Sequence, residues 1–377
     1  MKDIMQIRII DTDNRKDRSK FIRFPFSLYM GNEYWVPPLI SDMELVLDRK
    51  RHPFFLHSEA DFLVAEDNHK ILGRMAIIHN RNYCAAHQEQ TAFFYHLDFM
   101  DDPEVVDALF NTAINWARER GLKKLMGPRG MVRSSGIGML REGFNYLPPV
   151  GQNYNYPYYN SHLERLGFEK ETDHYTSLIT RETHLPSRMF EAAERIKQRG
   201  EFWVKTFTNR REMLAMIPEV DRVHHEAFQN NPGFYPSTPE EFDLIARSMI
   251  AIADPKYIKL IMRGDEIAGF ILTYANISRG LQRARGRLFP LGWYYILRDK
   301  ASSPIIDGNG VGLLPKYQGM GANILLYTEL DKTLRSQEHL QQMYLVQVDE
   351  RNFKSQSDVE TIGGNRCICH RTYRLSI

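Results

Sequence analysis

Between Phe62 and Arg120 the chain alternates between two periods. Asp61-Phe62-Leu63-Val64-Ala65 and Ile71-Leu72-Gly73-Arg74-Met75-Ala76-Ile77-Ile78 are apolar runs separated by the polar stretch Glu66-Asp67-Asn68-His69-Lys70, a pattern that predicts a hairpin. Phe93 to Phe99 predicts a third strand. After Pro103 the apolar residues Val106, Leu109, Phe110, Ala113, Ile114 and Ala117 recur at helical spacing as far as Arg120, and Gly121 ends the run.

The same succession returns later. Ile258 to Met262, a turn at Arg263-Gly264-Asp265-Glu266, and Ile267 to Leu272 make a second hairpin. Gly73 and Gly269 differ by 196 positions (269 − 73), Gly167 and Gly363 by the same 196 (363 − 167), and so do His174 and His370 (370 − 174). The helices between these markers open at Pro103 and Gly319, 216 apart (319 − 103), so extra residues precede the second helix and compensating ones follow the first. One offset recurring on both sides of a displaced helix implies a duplication. Each half reads as hairpin, strand, helix, strand, helix, strand. A helix joining two strands makes those strands parallel neighbours. The boundaries predicted are 1–180 for the first half, 181–201 for a helical linker beginning at Pro186, and 202–377 for the second half. Ahead of the first hairpin, Ile7 and Ile9 read as extended, and the aromatic and proline-rich residues 21–29 and 34–39 read as a rigid loop lying on the core.

The second half carries the stretch with the most chemistry, Gly310-Val311-Gly312-Leu313-Leu314-Pro315-Lys316-Tyr317-Gln318-Gly319-Met320-Gly321-Ala322-Asn323. It runs from a strand through a glycine turn into a helix containing Ile324, Leu325, Tyr327, Leu330 and Leu334. Glycines permit close backbone approach, and the first helical N–H groups have no intrahelical partner, so the stretch predicts an anion site suited to a pyrophosphate.

The order Val-x-Leu-Leu-Pro-x-Tyr-Gln-Gly-x-Gly resembles the acyl-CoA loop of the GNAT N-acetyltransferase superfamily, with Asn323 departing at its last position. The whole chain resembles bacterial tandem GNAT proteins with a degenerate first domain. The likeness is carried also by Gly127-Pro128, Gly138 to Phe144, Asn153 to Phe168 and Gly286 to Gly292. It implies an α/β chain of two GNAT-like domains, each a mixed, mostly antiparallel twisted sheet flanked by helices. It implies acetyl-CoA or another acyl-CoA as co-substrate, bound by Leu313, Gln318, Gly319, Met320, Gly321, Ala322, Asn323 and Asn352. The first half has Met100-Asp101-Asp102-Pro103 where the second has Gln318-Gly319-Met320-Gly321; two carboxylates there repel a pyrophosphate, so only the second half is expected to bind the donor.

Transfer of an acyl group to an amine needs an oxyanion donor, a proton acceptor and a way to neutralise the departing thiolate. The resemblance places the oxyanion donor at the backbone N–H of Leu313 or Leu314, since Pro315 has none. Asp349 and Glu350 end the strand Met343–Val348, and Glu350 is the carboxylate expected at the site; His224 and His225 on a neighbouring helix are further candidates. Where many GNAT domains have an acid tyrosine this chain has Val359. An acyl-CoA-dependent N-acyltransferase acting on a primary amine of a small molecule is therefore the expectation, and a catalytically inactive acyl-CoA-binding or sensing protein is the alternative. Tyr154, Tyr156, Tyr158, Tyr159 and Arg133 in the first half, with Arg285 in the run Arg279-Arg283-Arg285-Arg287, are expected to enclose an acceptor such as an amino acid, tyrosines on its apolar part and arginines on an anionic group; the 3′-phosphate of CoA is the alternative guest of the arginine run.

Composition narrows the class further. A net charge of +2 argues against nucleic acid as a partner. No apolar run approaches the ~20 residues of a membrane span, and on that ground no membrane partner is expected. Cys84, Cys367 and Cys369 form neither a disulfide framework nor a metal site, which fits a cytoplasmic setting without metal. Oligomeric state and acceptor identity are not legible.

Overall fold

The computed structural model describes residues 5–377. Its first half runs β1 (Gln6–Ile9), α1 (Arg15–Leu28), α2 (Ile40–Val46), β2 (Glu59–Asp67), β3 (Lys70–His79), α3 (Arg81–His87), β4 (Thr91–Phe99), α4 (Pro103–Glu119), β5 (Lys124–Gly127), β6 (Met139–Glu142), α5 (Tyr158–Arg165) and β7 (Glu169–Thr180). A connecting helix, α6 (Ser187–Arg199), leads to β8 (Trp203–Lys205), α7 (Arg210–Ala215), α8 (Ile217–Phe228), α9 (Pro239–Ile252), β9 (Lys259–Arg263) and β10 (Glu266–Ala275). Then follow α10 (Ser278–Ala284), α11 (Gly292–Ser302), β11 (Ile305–Leu313), α12 (Ala322–Arg335), β12 (Gln342–Asp349), α13 (Phe353–Thr361) and β13 (Asn365–Ser376).

All strands of the described residues join one 13-stranded sheet, in the order β1-β2-β3-β4-β5-β13-β7-β12-β11-β10-β9-β8, with β6 paired to β13. The halves have the same strand order, 1-2-3-4-5 against 8-9-10-11-12, and each has its parallel pair, β4 with β5 and β11 with β12. They exchange their last strands. β7 completes the second half by pairing antiparallel with β12, and β13 completes the first by pairing with β5. β7 and β13 also pair with each other, and His174 stands directly opposite His370. This histidine pair, which shares the 196 offset, thus meets at the pseudo-two-fold axis.

The exchange makes the sheet continuous, while the apolar core falls into separate clusters. One lies around α4 and α5, another around α1, β2 and β3, a third around α8, α12 and β9–β12, and a small one is formed by Leu140, Tyr344 and Ile368. Nearest the axis the burial is polar: His174, Thr176, His370 and Thr372 are all buried. His370 Nε2 donates to Asn153 O at 2.9 Å, while its Nδ1 has no partner among the described residues.

Residues 21–29, expected as a loop, are instead the last two turns of α1. Asn14 caps the helix by accepting from the N–H groups of Lys16 and Asp17, and Phe21, Ile22, Phe24 and Pro25 are buried. Proline inside a helix leaves the carbonyl four residues earlier without its bond. Here that carbonyl is Phe21 O, and it accepts from Arg74 Nη1 at 2.8 Å. A tertiary contact thus compensates what the local sequence forbids.

Burial pushes the imidazoles of His52, His174, His224 and His370 down to about 4 and that of His96 to about 3. In the unfolded chain each returns to about 6.5. The unfolded state therefore binds more protons between about pH 6.5 and 4, and stability falls as pH drops through that window. Asp307, pushed up to about 7 by burial, acts in the opposite direction, one group against five. A lower Tm at pH 5 than at pH 7 is expected, with a smaller difference in His370→Gln. Equal melting temperatures at the two values would contradict the neutral-histidine account.

Candidate functional site

β11 and β12 pair from Ile305↔Gln342 only as far as Gly308↔Leu345, although β11 continues to Leu313. Beyond Gly308 the strands part. β12 turns away at Gln347, a non-glycine residue held at φ 48°, whose N–H donates to Thr176 Oγ1 at 3.1 Å and whose amide donates to Ile137 O at 2.7 Å. A left-handed backbone at such a residue persists only where its surroundings hold it. Two residues of the first half, one on β7 and one on a loop, do so here.

Of the two backbone N–H groups that the sequence left open as donors, the opened side of β11 leaves one unpaired with β10. Leu314 N–H is bonded to Ala268 O at 2.9 Å and is spent. Leu313 pairs with Gly269 at the neighbouring position, where antiparallel alternation turns its N–H away from β10 and toward the cleft.

After Leu314 a 3₁₀ turn (Pro315–Tyr317) leads to Gly319 and Gly321, both at φ +80°, and Gly321 is the N-cap of α12. The conformation requires glycine or a strained residue. Among the described residues the N–H groups of Gly319, Met320, Gly321, Ala322 and Asn323 have no protein acceptor. Five successive free donors at a helix N-terminus make a cradle for an anion. Gln318 braces it, donating to Leu313 O at 3.2 Å and accepting from Lys354 Nζ at 3.1 Å. Lys354, on α13, places a cation beside the turn; no motif in the sequence singled it out.

The corresponding turn of the first half is closed. Asp102 caps α4, its carboxylate accepting from Glu104 N–H at 2.9 Å, and Asp101 accepts from His162 at 2.8 Å.

A tandem GNAT protein from the clavulanic acid biosynthesis pathway superposes with a TM-score of 0.56 at 12% identity, over 99% of this chain and 98% of that one. The chain has the tandem GNAT fold. In sequence it is 27% identical to protein YghO of Escherichia coli over 289 residues, 75% of this chain and 72% of that protein. It is 25% identical to the bacterial ceramide synthase of Caulobacter vibrioides over 295 residues, 77% and 76% of the two chains. No family model matches.

Within the tandem GNAT fold several expected site residues have other work. Glu350 accepts from Lys170 Nζ at 2.7 Å and from Asp173 N–H at 3.1 Å, which ties it to β7. Asp349 is held by Arg351 and Thr172. Asn352 caps α13, its side chain accepting from Ser355 N–H, and Asn323 donates to Asp358 at 3.2 Å. His224 stacks on Phe270, while His225 packs edge-on against Phe234.

The expected acceptor enclosure does not form. Tyr159 is fully buried in the first-half core, stacked on Phe99 at 4.0 Å, and Tyr158 donates to Phe99 O at 2.6 Å. Tyr154 accepts from Asn32, and Gln282 on α10 donates to Trp35 O, so the aromatic loop and α10 clamp residues 29–39 of the first half. Arg285 is the C-cap of α10, within the segment that links β10 to β11, at the opposite end of β11 from the glycine turn.

The first half reaches the second half's cleft by other residues. The α8–α9 loop is docked onto it: Arg129 donates to Gly233 O, Arg133 to Ser237 Oγ at 2.8 Å, and Tyr235 to Met131 O. With Ile137 on Gln347, residues 129–137 stand between that loop and β12. Of the first-half residues expected at the site, Arg133 is the one that lies here.

Proposed function

We propose that the second half binds acyl-CoA and transfers its acyl group to an amine carrying a long aliphatic chain. The observation behind this reading is the pairing of one cleft-facing N–H, at Leu313, with the five free N–H groups at 319–323. The cradle and Lys354 suit a pyrophosphate, and Leu313 N–H suits the oxygen of a thioester becoming tetrahedral. The amine nitrogen bonds to the acyl carbon, the C–S bond breaks, and the proton lost by the amine ends on the sulfur. The likeness to a ceramide synthase supports the lipid character of the acceptor, because making a ceramide is N-acylation of a long-chain amino alcohol. The amino acid acceptor expected from the sequence loses its support, since the tyrosines and Arg285 that were to hold it lie elsewhere.

Incubation of the whole protein with acetyl-CoA and palmitoyl-CoA, against a long-chain amino alcohol and a panel of amino acids, tests this. Thiol release and an amide product with the amino alcohol are expected. Preferred turnover of amino acids would overturn the lipid acceptor. Tight CoA binding with no thiol release on any amine would favour the inactive, sensing alternative, for which Val359 in place of the acid tyrosine is the argument.

A further inference from the structure

Among the described residues, twelve large hydrophobic side chains are exposed, and five of them fall within nine positions: Phe289, Leu291, Trp293, Tyr294 and Leu297. Phe289, at 78% exposure, and Leu291 lie on the turn into α11, while Trp293, Tyr294 and Leu297 lie on the helix. Positions 293 and 297, and 294 and 298, are one turn apart and share a face. The helix does not swing free. Asp299 accepts from Gly280 N–H at 2.7 Å, and Lys300 donates to Ala253 O at 2.8 Å, so its inner side is fastened to α10 and to the end of α9.

The apolar ridge is bordered by cations. Arg279, Arg283, Arg285, Arg287 and Arg298 are exposed, and none has a carboxylate within salt-bridge distance among the described residues. Asp299, on α11, is turned to the Gly280 N–H. Beside the ridge is an open recess of about 900 Å³ lined by Arg279, Gln282, Arg283, Arg285 and Tyr295.

We propose that this face docks on an anionic phospholipid bilayer, with the α11 ridge entering the interface and the arginine recess taking headgroup phosphates. The residue types match the depth order of such a surface: leucine and phenylalanine at the acyl boundary, tryptophan and tyrosine at the headgroups, arginine on phosphate. A second copy of the chain fits poorly, because a two-fold contact through this face sets arginines against arginines. A polyanion without hydrocarbon leaves Phe289, Leu291 and Leu297 in water. The proposal departs from the expectation of no membrane partner, which concerned spanning segments; among the described residues no helix is long and apolar enough to cross a membrane. It stands on the surface alone and does not need the transfer reaction.

The test is co-sedimentation of the whole protein with vesicles of pure phosphatidylcholine and of phosphatidylcholine with 30% phosphatidylglycerol, a fraction on the order of that in anionic membrane leaflets. Partitioning to the anionic vesicles is expected to exceed that to the neutral ones by about tenfold and to fall in high salt. Trp293→Ser with Leu297→Ser, and separately Arg283→Glu with Arg285→Glu, are each expected to reduce it by about tenfold while Tm and acyl-CoA affinity stay unchanged. Equal partitioning to both vesicle types, or variants that bind as well as the parent, overturns the proposal. So does a dimer in light scattering that the Trp293→Ser, Leu297→Ser variant disperses, or binding of single-stranded RNA by this face without vesicle binding.

Discussion

Gly321→Asp is expected to lower acyl-CoA affinity by more than about a hundredfold. Three effects act together. At φ +80° an L-residue pays the left-handed penalty, about 1–2 kcal/mol. Its Cβ would lie 2.9 Å from Ile196 Cδ1, so the tip of that side chain must give way. Its carboxylate would cap α12 from within, taking the free N–H groups and setting a negative charge where the pyrophosphate belongs, as Asp102 does on α4. Gly321→Ala separates the contributions: it keeps the strain and the contact but adds no charge, and should cost about tenfold, by the same left-handed penalty. Calorimetric titration with acetyl-CoA, alongside thermal melts to show that the variants fold, decides the matter. Undiminished affinity in Gly321→Asp would place the donor elsewhere in the molecule.

Asp98→Ala is expected to destabilise the protein by about 3–5 kcal/mol, the range for removing one partner of a buried ion pair. Asp98 accepts from Arg74 Nε at 2.8 Å and from Tyr29 Oη at 3.0 Å, and the pair's side chains are only 5% and 10% exposed. Without the carboxylate, a guanidinium stays buried against the Phe21 ring with Phe21 O as its remaining hydrogen-bond partner. That carbonyl bond is also what permits Pro25 inside α1, so the loss reaches the helix. Asp98→Asn, which retains the shape and an acceptor, should cost less. Urea unfolding followed by circular dichroism gives the values; a change below about 1 kcal/mol, the level of an exposed pair, would show that the pair is hydrated. Because β7 and β13 are exchanged between the halves, one cooperative transition is expected. A separate early transition confined to the first half would mean that the halves fold independently.

The local pattern was sufficient for the elements that local physics governs. Alternation and helical spacing placed the hairpins, β4, α4 and β12, because burying one face of a strand or helix imposes a period on the residues that form it. The glycine turn was legible because only glycine takes φ +80° without strain at 319 and 321. The 196 offset announced two equivalent halves. It was silent on which half each last strand would join: β7 and β13 are equivalent by duplication, so their own sequences suit either edge, and the choice belongs to the assembled sheet. Pro25 made α1 read as a loop because the group that rescues it, Arg74, lies 49 positions away (74 − 25). Glu350 and the tyrosines at 158 and 159 were read as site residues from their type and position. What such a side chain touches is set by tertiary packing, and here Lys170 and the Asp173 N–H tie Glu350 to β7 while Phe99 takes up Tyr158 and Tyr159. Between Leu313 and Leu314 one hydrogen bond decides, the one from Leu314 to Ala268, and it exists only once β10 and β11 are paired.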